Sequence, residues 1–333
     1  MRALRAVALL LAGSLAGCAG AGDEGPGAGP TAPSSAAGSG TGDQVAVTDS
    51  EVVDVGAGPV GVAVGDEAVW VVSVTDETVS RIPLGARRPD LVAAAPGVPL
   101  RATVAYDAVW VSAFEAGRLL RLDPRTGRVT DRIRAGEGPE GVAAGFGAVW
   151  VVSQDSGLLL RVDPESREVV ARIDIGSGAR LVTTGQGAVW VSHFADATVL
   201  RVDPRSADVT ASARLCDGPQ GLALTGGLVW TACTFDDRVL GLDPDTLAVV
   251  HDVTVTGFPD PLAVAPDGTL LVVPEQGPAV VSVDPATGEV VDERVLGELA
   301  ALGDRANLDA AVAGDEVWVT SHSVDRVHHL PVG

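Results

Sequence analysis

The side chains in this sequence best suited to chemistry fall at matched positions, mostly 40 residues apart. One series is the variable residue of a G-P-x-G motif or its equivalent: Val60, Leu100, Glu140, Arg180, Gln220, Asp260 and, allowing one deletion, Asp309. Arg101 follows Leu100, where Gly61, Gly141 and Gly221 stand in other copies. A second series lies three residues past a recurring tryptophan slot: Ser73, Ala113, Ser153, His193, Cys233, Val273 and Ser321. Around it stand Glu115, Gln154, Asp155, Glu275 and His322, together with Phe114, Phe194 and Phe235. Arginines, carboxylates, amides and aromatic rings brought to one surface make a pocket for a small ligand or a peptide. His193 and His322 are the candidates for proton transfer or metal ligation. The plainer alternative is a mouth that is polar for structural reasons, with Glu140 and Arg180 simply pairing across adjacent repeats.

The elements that must position these residues follow from the tryptophans. They stand at 70, 110, 150, 190 and 230; the next slot holds Leu270, and the last tryptophan, Trp318, comes 48 further on. A period of about 40 around a strand-like Ala-Val-Trp-Val core is the signature of a β-propeller with one blade per repeat. The apolar runs holding the tryptophans suit strands covered on both faces by neighbouring blades, and the tryptophans themselves read as core between blades. Asp123-Pro124, Asp163-Pro164, Asp203-Pro204, Asp243-Pro244 and Asp284-Pro285 open type I turns between the third and fourth strands.

The count of strands sets the number of blades. Residues 51–55 form a strand ahead of the first G-P-x-G, and the chain stops after a third strand at 325–330. The N-terminal strand therefore completes the last blade and closes the ring without a free edge. The expected fold is all-β, a seven-bladed propeller of four-stranded blades. Loops leading into the first strand and loops after the second strand open on one face, called the upper face here, which collects both series. Residues 297–308 supply the extra length of the last interval on that face. They suit either a lid with one helical turn at 298–302 or a plain loop insertion.

Composition removes several chemistries. The formal charge is −21 and none of the 23 basic residues is lysine, so Schiff-base and lysine-base catalysis are excluded. An acidic chain of this kind also lacks the basic footprint that nucleic acid requires. The sequence shows no HExxH motif and no Cys/His cluster.

The beginning of the chain sets the expected compartment. Arg2 and Arg5 precede an apolar run at 6–12, and Leu15-Ala16-Gly17-Cys18 has the form of a lipobox. Residues 1–17 are expected to be a lipoprotein signal peptide, with Cys18 lipidated in the mature protein. Residues 18–44, rich in Gly, Ala, Pro, Ser and Thr, form a flexible tether with a reach of roughly 28 Å. The propeller occupies 45–333. It would be exported and lipid-anchored to the bacterial cell membrane, outside the cytoplasm. In that setting Cys216 and Cys233, which flank the first two strands of one blade, suit a disulfide. The sharper alternative is a catalytic thiol, with His193 at the register of Cys233 one blade away.

The G-P-x-G-V-A…AVWV…R-V-D-P-x-[ST] repeat resembles the YVTN-type and virginiamycin B lyase-like propellers of bacterial exported proteins, over about residues 50–330. The resemblance implies the propeller fold. It also implies, for streptogramin lyases, a divalent metal held by histidine and glutamate on the upper face. Only His193, His322, Glu115, Glu140 and Glu275 are available for that role, and they do not match the catalytic pattern residue by residue. A lactonase-like calcium site would need Asp260, Asp309, Glu140 and Asn307 to converge. The leading expectation is a membrane-tethered binding scaffold without a cofactor, recognising a protein, peptide or envelope ligand. Its ligand-binding candidates are Arg101, Glu115, Glu140, Gln154, Arg180, His193, Gln220, Asp260, Glu275, Asp309 and His322. The alternative is a metal-dependent lyase or lactonase acting on a cyclic ester. A quinone-dependent dehydrogenase fits poorly, since those propellers use a different tryptophan repeat and eight blades.

Overall fold

The computed structural model describes residues 47–48, 50–276, 279–296, 308–323 and 325–332. The signal segment, Cys18 and the tether lie outside the described residues, as do 297–307 with the proposed helical turn and Asn307.

Among the described residues seven sheets form the ring, each built on four antiparallel strands, which in six of them follow chain order from the axis outward. Blade 3 is representative: Pro139–Gly145 innermost, then Ala148–Ser153, Leu158–Val162 and Val169–Asp174. The last blade takes Leu308–Ala313, Glu316–Ser321 and Arg326–Pro331 from the end of the chain. Its outer strand is Glu51–Asp54, antiparallel to Arg326–Pro331 with Glu51 opposite His329. The closure read from the sequence is the one observed. One strand was not foreseen: Val47–Thr48 adds in parallel to Val295–Leu296 at the outer edge of blade 6.

The core lies between blades. Trp150 packs with Val189 and Val191 of the next blade, and Val62, Val69 and Val71 of blade 1 pack with Trp318 and Val327 of blade 7. All six tryptophans are buried. Each removes on the order of 4–6 kcal/mol worth of apolar surface from water. The outer face of Trp110, Trp150 and Trp190 carries Arg121, Arg161 and Arg201, each 11 residues on, at 5.7, 5.7 and 5.9 Å from the ring centroid. In blade 5 that position is Gly241, and His251 of the outer strand stacks on Trp230 instead, 5.7 Å away and 6° from parallel. His328 and His329 are both buried in the closing sheet.

Blade 6 departs from the simple count. Leu271, not Leu270, faces Ala263 as Trp150 faces Ala143. The turn between its first two strands is longer, closed by Ala265 N–H to Thr269 O at 2.9 Å. Everything after that turn shifts by one, so the residue paired with Pro259 is Pro274 rather than Val273.

Candidate functional site at the upper mouth

In six blades the inner strand breaks register just after it begins. Ala179 faces His193 and Leu181 faces Ser192, so Arg180 is an extra residue; Pro139 with Ser153 and Val142 with Val151 bracket Glu140 in the same way. The other four breaks follow Pro59, Pro99, Pro219 and Pro259. A bulge bends the strand and re-aims the residue it carries, which here is the variable residue of G-P-x-G. Blade 7 pairs regularly, with Leu308 opposite Ser321 and Asp309 opposite Thr320. Its missing bulge is the deletion seen in the sequence. Asp309 N–H binds Thr320 Oγ1 at 2.9 Å just as Arg101 N–H binds Ser112 Oγ at 3.0 Å. Asp309 is therefore the structural counterpart of Arg101, one residue along from the Glu140 series.

Two charged networks result. Arg180 Nη2 lies 3.1 Å from Glu140 Oε1, its Nη1 donates to Gln220 Oε1 at 2.7 Å, and its guanidinium rests 5.1 Å from the centroid of Phe194. Burial disfavours the charged guanidinium, but Glu140, Asp260 and Glu275 together raise the Arg180 pKa above its ordinary value. Arg101 donates to Val60 O, and to Leu308 O at 3.3 Å, and its Nη1 stands 3.8 Å from Asp309 Oδ2. Asp309 also accepts the amides of Val62 and Ala310 at 2.9 and 3.0 Å. Burial nonetheless pushes its carboxyl up, against the pull of Arg101.

Asp260 lies at the meeting point. It is 1% exposed, and among the described residues no donor meets either carboxylate oxygen at close hydrogen-bonding geometry, although the Gln220 and Glu275 side chains bear on it. Burial raises its pKa; Arg101, Gln220, Arg180 and Glu275 act to lower it without offsetting the desolvation. With Arg101 and Asp309 it lines a cavity of about 150 Å³ on the axis, whose remaining wall includes Val62, Val142, Val182, Leu222 and Leu262.

The rim above blades 4 to 6 is aromatic. Phe194 and Phe235 meet edge to face at 5.4 Å, and Phe235 and Phe258 at 6.4 Å. The Cys216–Cys233 disulfide braces these loops, with Cα atoms 5.7 Å apart, which removes the catalytic-thiol alternative. Phe258 escaped the sequence reading. It occupies the place of the motif's first glycine and adopts φ +61°, a left-handed conformation that favours glycine. Asp237 Oδ1 stabilises it by accepting the amides of Gly257 and Phe258, both at 3.0 Å. The signal was present as Phe-Pro-Asp-Pro where Gly-Pro-x-Gly was expected.

The remaining candidates lie apart. Glu115 is exposed in a turn of blade 2, and Gln154 is half-buried, its backbone N–H donating to Gly138 O at 2.8 Å. His193 is buried; its Nδ1 accepts the Asp196 amide at 3.2 Å, and its Nε2 is 3.5 Å from Asp196 Oδ2. His322 is half-buried on blade 7, and burial lowers its pKa against the opposing effect of Asp325. The two histidines stand on blades 4 and 7, well separated around the ring. Among the described residues no three His, Cys, Asp or Glu side chains are placed to hold one ion. These residues do not assemble the divalent-metal site that the resemblance implies.

Solved structures decide the fold. Virginiamycin B lyase from Staphylococcus aureus, as a catalytically inactive variant with quinupristin, superposes with a TM-score of 0.72 at 14% identity, covering 85% of this chain and 99% of that one. The architecture is that of virginiamycin B lyase. A streptogramin B lyase matches with a TM-score of 0.72 at 13% identity, covering 84% of this chain and 96% of its own. Hydrazine synthase from Kuenenia stuttgartiensis matches at 0.66 with 12% identity, covering 87% and 98%. At such identities the likeness extends to the fold alone. No protein-family profile matches the chain, and no curated protein matches it.

Proposed function

We propose that this chain is an exported binding propeller, held to the bacterial membrane by lipid at Cys18, which captures a protein, peptide or other envelope ligand through its upper mouth. The observation that supports this most strongly is the Glu140–Arg180–Gln220 network with Arg180 resting on Phe194. It sets buried, oriented polar groups directly beneath an aromatic rim, the composition of a recognition surface. The alternative, a metal-dependent lyase or lactonase, has the fold likeness behind it but places His193 and His322 three blades apart.

Capture from cell envelopes tests the proposal. The paired exchange Glu140→Gln with Arg180→Gln removes both charges together, so neither is left buried and uncompensated. Loss of partner recovery with an unchanged melting temperature supports the reading. Recovery equal to wild type counts against this site.

A further inference from the structure

We propose that the upper mouth takes a ligand presenting a protonated amine next to an aromatic or bulky apolar group. The inference rests on the binding role proposed above and names the chemistry of its ligand.

The charges at the mouth do not balance. Arg101 is committed to Asp309 and to two backbone carbonyls, and Arg180 to Glu140 and Gln220. Asp260 remains, almost wholly buried and bordering the axial cavity; among the described residues it forms no ion pair with either guanidinium, and only the Gln220 and Glu275 side chains bear on it as hydrogen-bonding neighbours. A buried carboxylate in that condition is costly, and a partner that supplies both positive charge and hydrogen-bond donors removes the cost. An ammonium group supplies three donors on one charge.

The aromatic rim and that carboxylate meet in blade 6. Phe258 precedes Asp260 by two residues, and its carbonyl accepts the Glu275 amide at 3.0 Å. Glu275 in turn acts on both Asp260 and Arg180. Phe235, 38% exposed, extends the wall outward. An apolar group lying on Phe235 and Phe258 would thus direct an adjoining amine toward Asp260. The strained backbone of Phe258, clamped by Asp237, and the nearby disulfide hold the wall rigid before the ligand arrives, which lowers the entropy lost on binding. A bare divalent ion fits less well. It takes six or more oxygen ligands, and among the described residues no three His, Cys, Asp or Glu side chains are placed to hold one.

Calorimetric titration of the full-length protein with phenethylammonium, phenylacetate and Mg²⁺ tests the inference. Saturable binding of the amine, absent for the acid, is expected, weakened roughly tenfold or more by Asp260→Asn and separately by Phe235→Ala. Phe146→Ala, on the opposite face, should have no effect. Equal binding of amine and acid overturns the inference, as does amine binding that survives Asp260→Asn. Mg²⁺ binding that Asp260→Asn abolishes also overturns it, in favour of a metal. Should Asp260→Asn fail to fold, Phe235→Ala decides. Envelope capture that persists without amine binding defeats the inference alone; amine binding without envelope capture defeats the wider binding role alone.

Discussion

Arg101 of blade 2 reaches over blade 1 to Asp309 of blade 7, with Nη1 3.8 Å from Oδ2. Gly61 lets the backbones of blades 1 and 2 approach closely beside it, because a Cβ there would collide with Leu100 O. One guanidinium thereby ties the first, second and last blades together at the axis, donating to Val60 O and Leu308 O on the way. Arg101→Met keeps the apolar stem but leaves Asp309 and Asp260 without this counter-charge. It should destabilise the propeller by about 3–5 kcal/mol, as removal of one partner from a buried pair does. Chemical denaturation measures this, and a loss below about 1 kcal/mol would mean that Arg101 is not holding the axis.

Ring closure should weaken in acid. His329 is 1% exposed, stacked on Trp318 at 4.4 Å. Its Nδ1 is 3.3 Å from Glu316 Oε1 and its Nε2 3.7 Å from Glu51 Oε2. Arg87 binds both carboxylates. Burial lowers the pKa of His329 below 6.5, against Glu316 and Glu51 and with Arg87. The unfolded chain then binds the proton more readily, so this contribution is complete above pH 6.5 and is lost as pH falls through the folded value. Melting temperatures between pH 7.5 and pH 5 should fall less in His329→Gln than in wild type. Parallel curves would refute the assignment.

The disulfide between Cys216 and Cys233 closes a separation of 17 residues. In the chain-entropy model it contributes about 3 kcal/mol. The double exchange Cys216→Ala, Cys233→Ala should lower unfolding stability by about that amount and loosen the loops bearing Phe194 and Phe235. Weakened ligand capture without a proportionate stability loss would show that bracing the rim is its larger role.

How much of this was legible in sequence depends on periodicity. Seven blades and the closing strand followed from the tryptophan interval and from an unmatched strand at each end, because a propeller repeats one local pattern. The shift from Leu270 to Leu271 was hidden, since a longer turn and the loss of tryptophan fell in the same repeat. Asp309 was aligned with the wrong neighbours because the missing residue is a bulge, a feature of pairing rather than of composition. The partner of each channel residue was equally hidden. Arg101 could have served any carboxylate on the axis, and only the folded ring shows that it meets Asp309. Phe258 broke the motif in plain view, but its aromatic neighbours lie on adjacent blades.

Divalent ions provide a contrast between the two functional readings. Mg²⁺, Ca²⁺ or Mn²⁺ should leave the thermal midpoint where EDTA leaves it. An ion bound only to the native state at 100 times its dissociation constant would add about 2.7 kcal/mol. An EDTA-reversible rise lost in His322→Ala would favour the lyase or lactonase reading.

The central claim is that the upper face is the recognition face. Photo-crosslinking in intact cells tests it most directly, with a photoreactive residue at Phe235 on the upper rim or at Phe146, which is also exposed but lies in a turn between first and second strands on the opposite face. The account predicts a discrete crosslinked species from position 235, lost on the paired exchange of Glu140 and Arg180, and none from position 146. The same species from both positions, or one from position 146 alone, would contradict it.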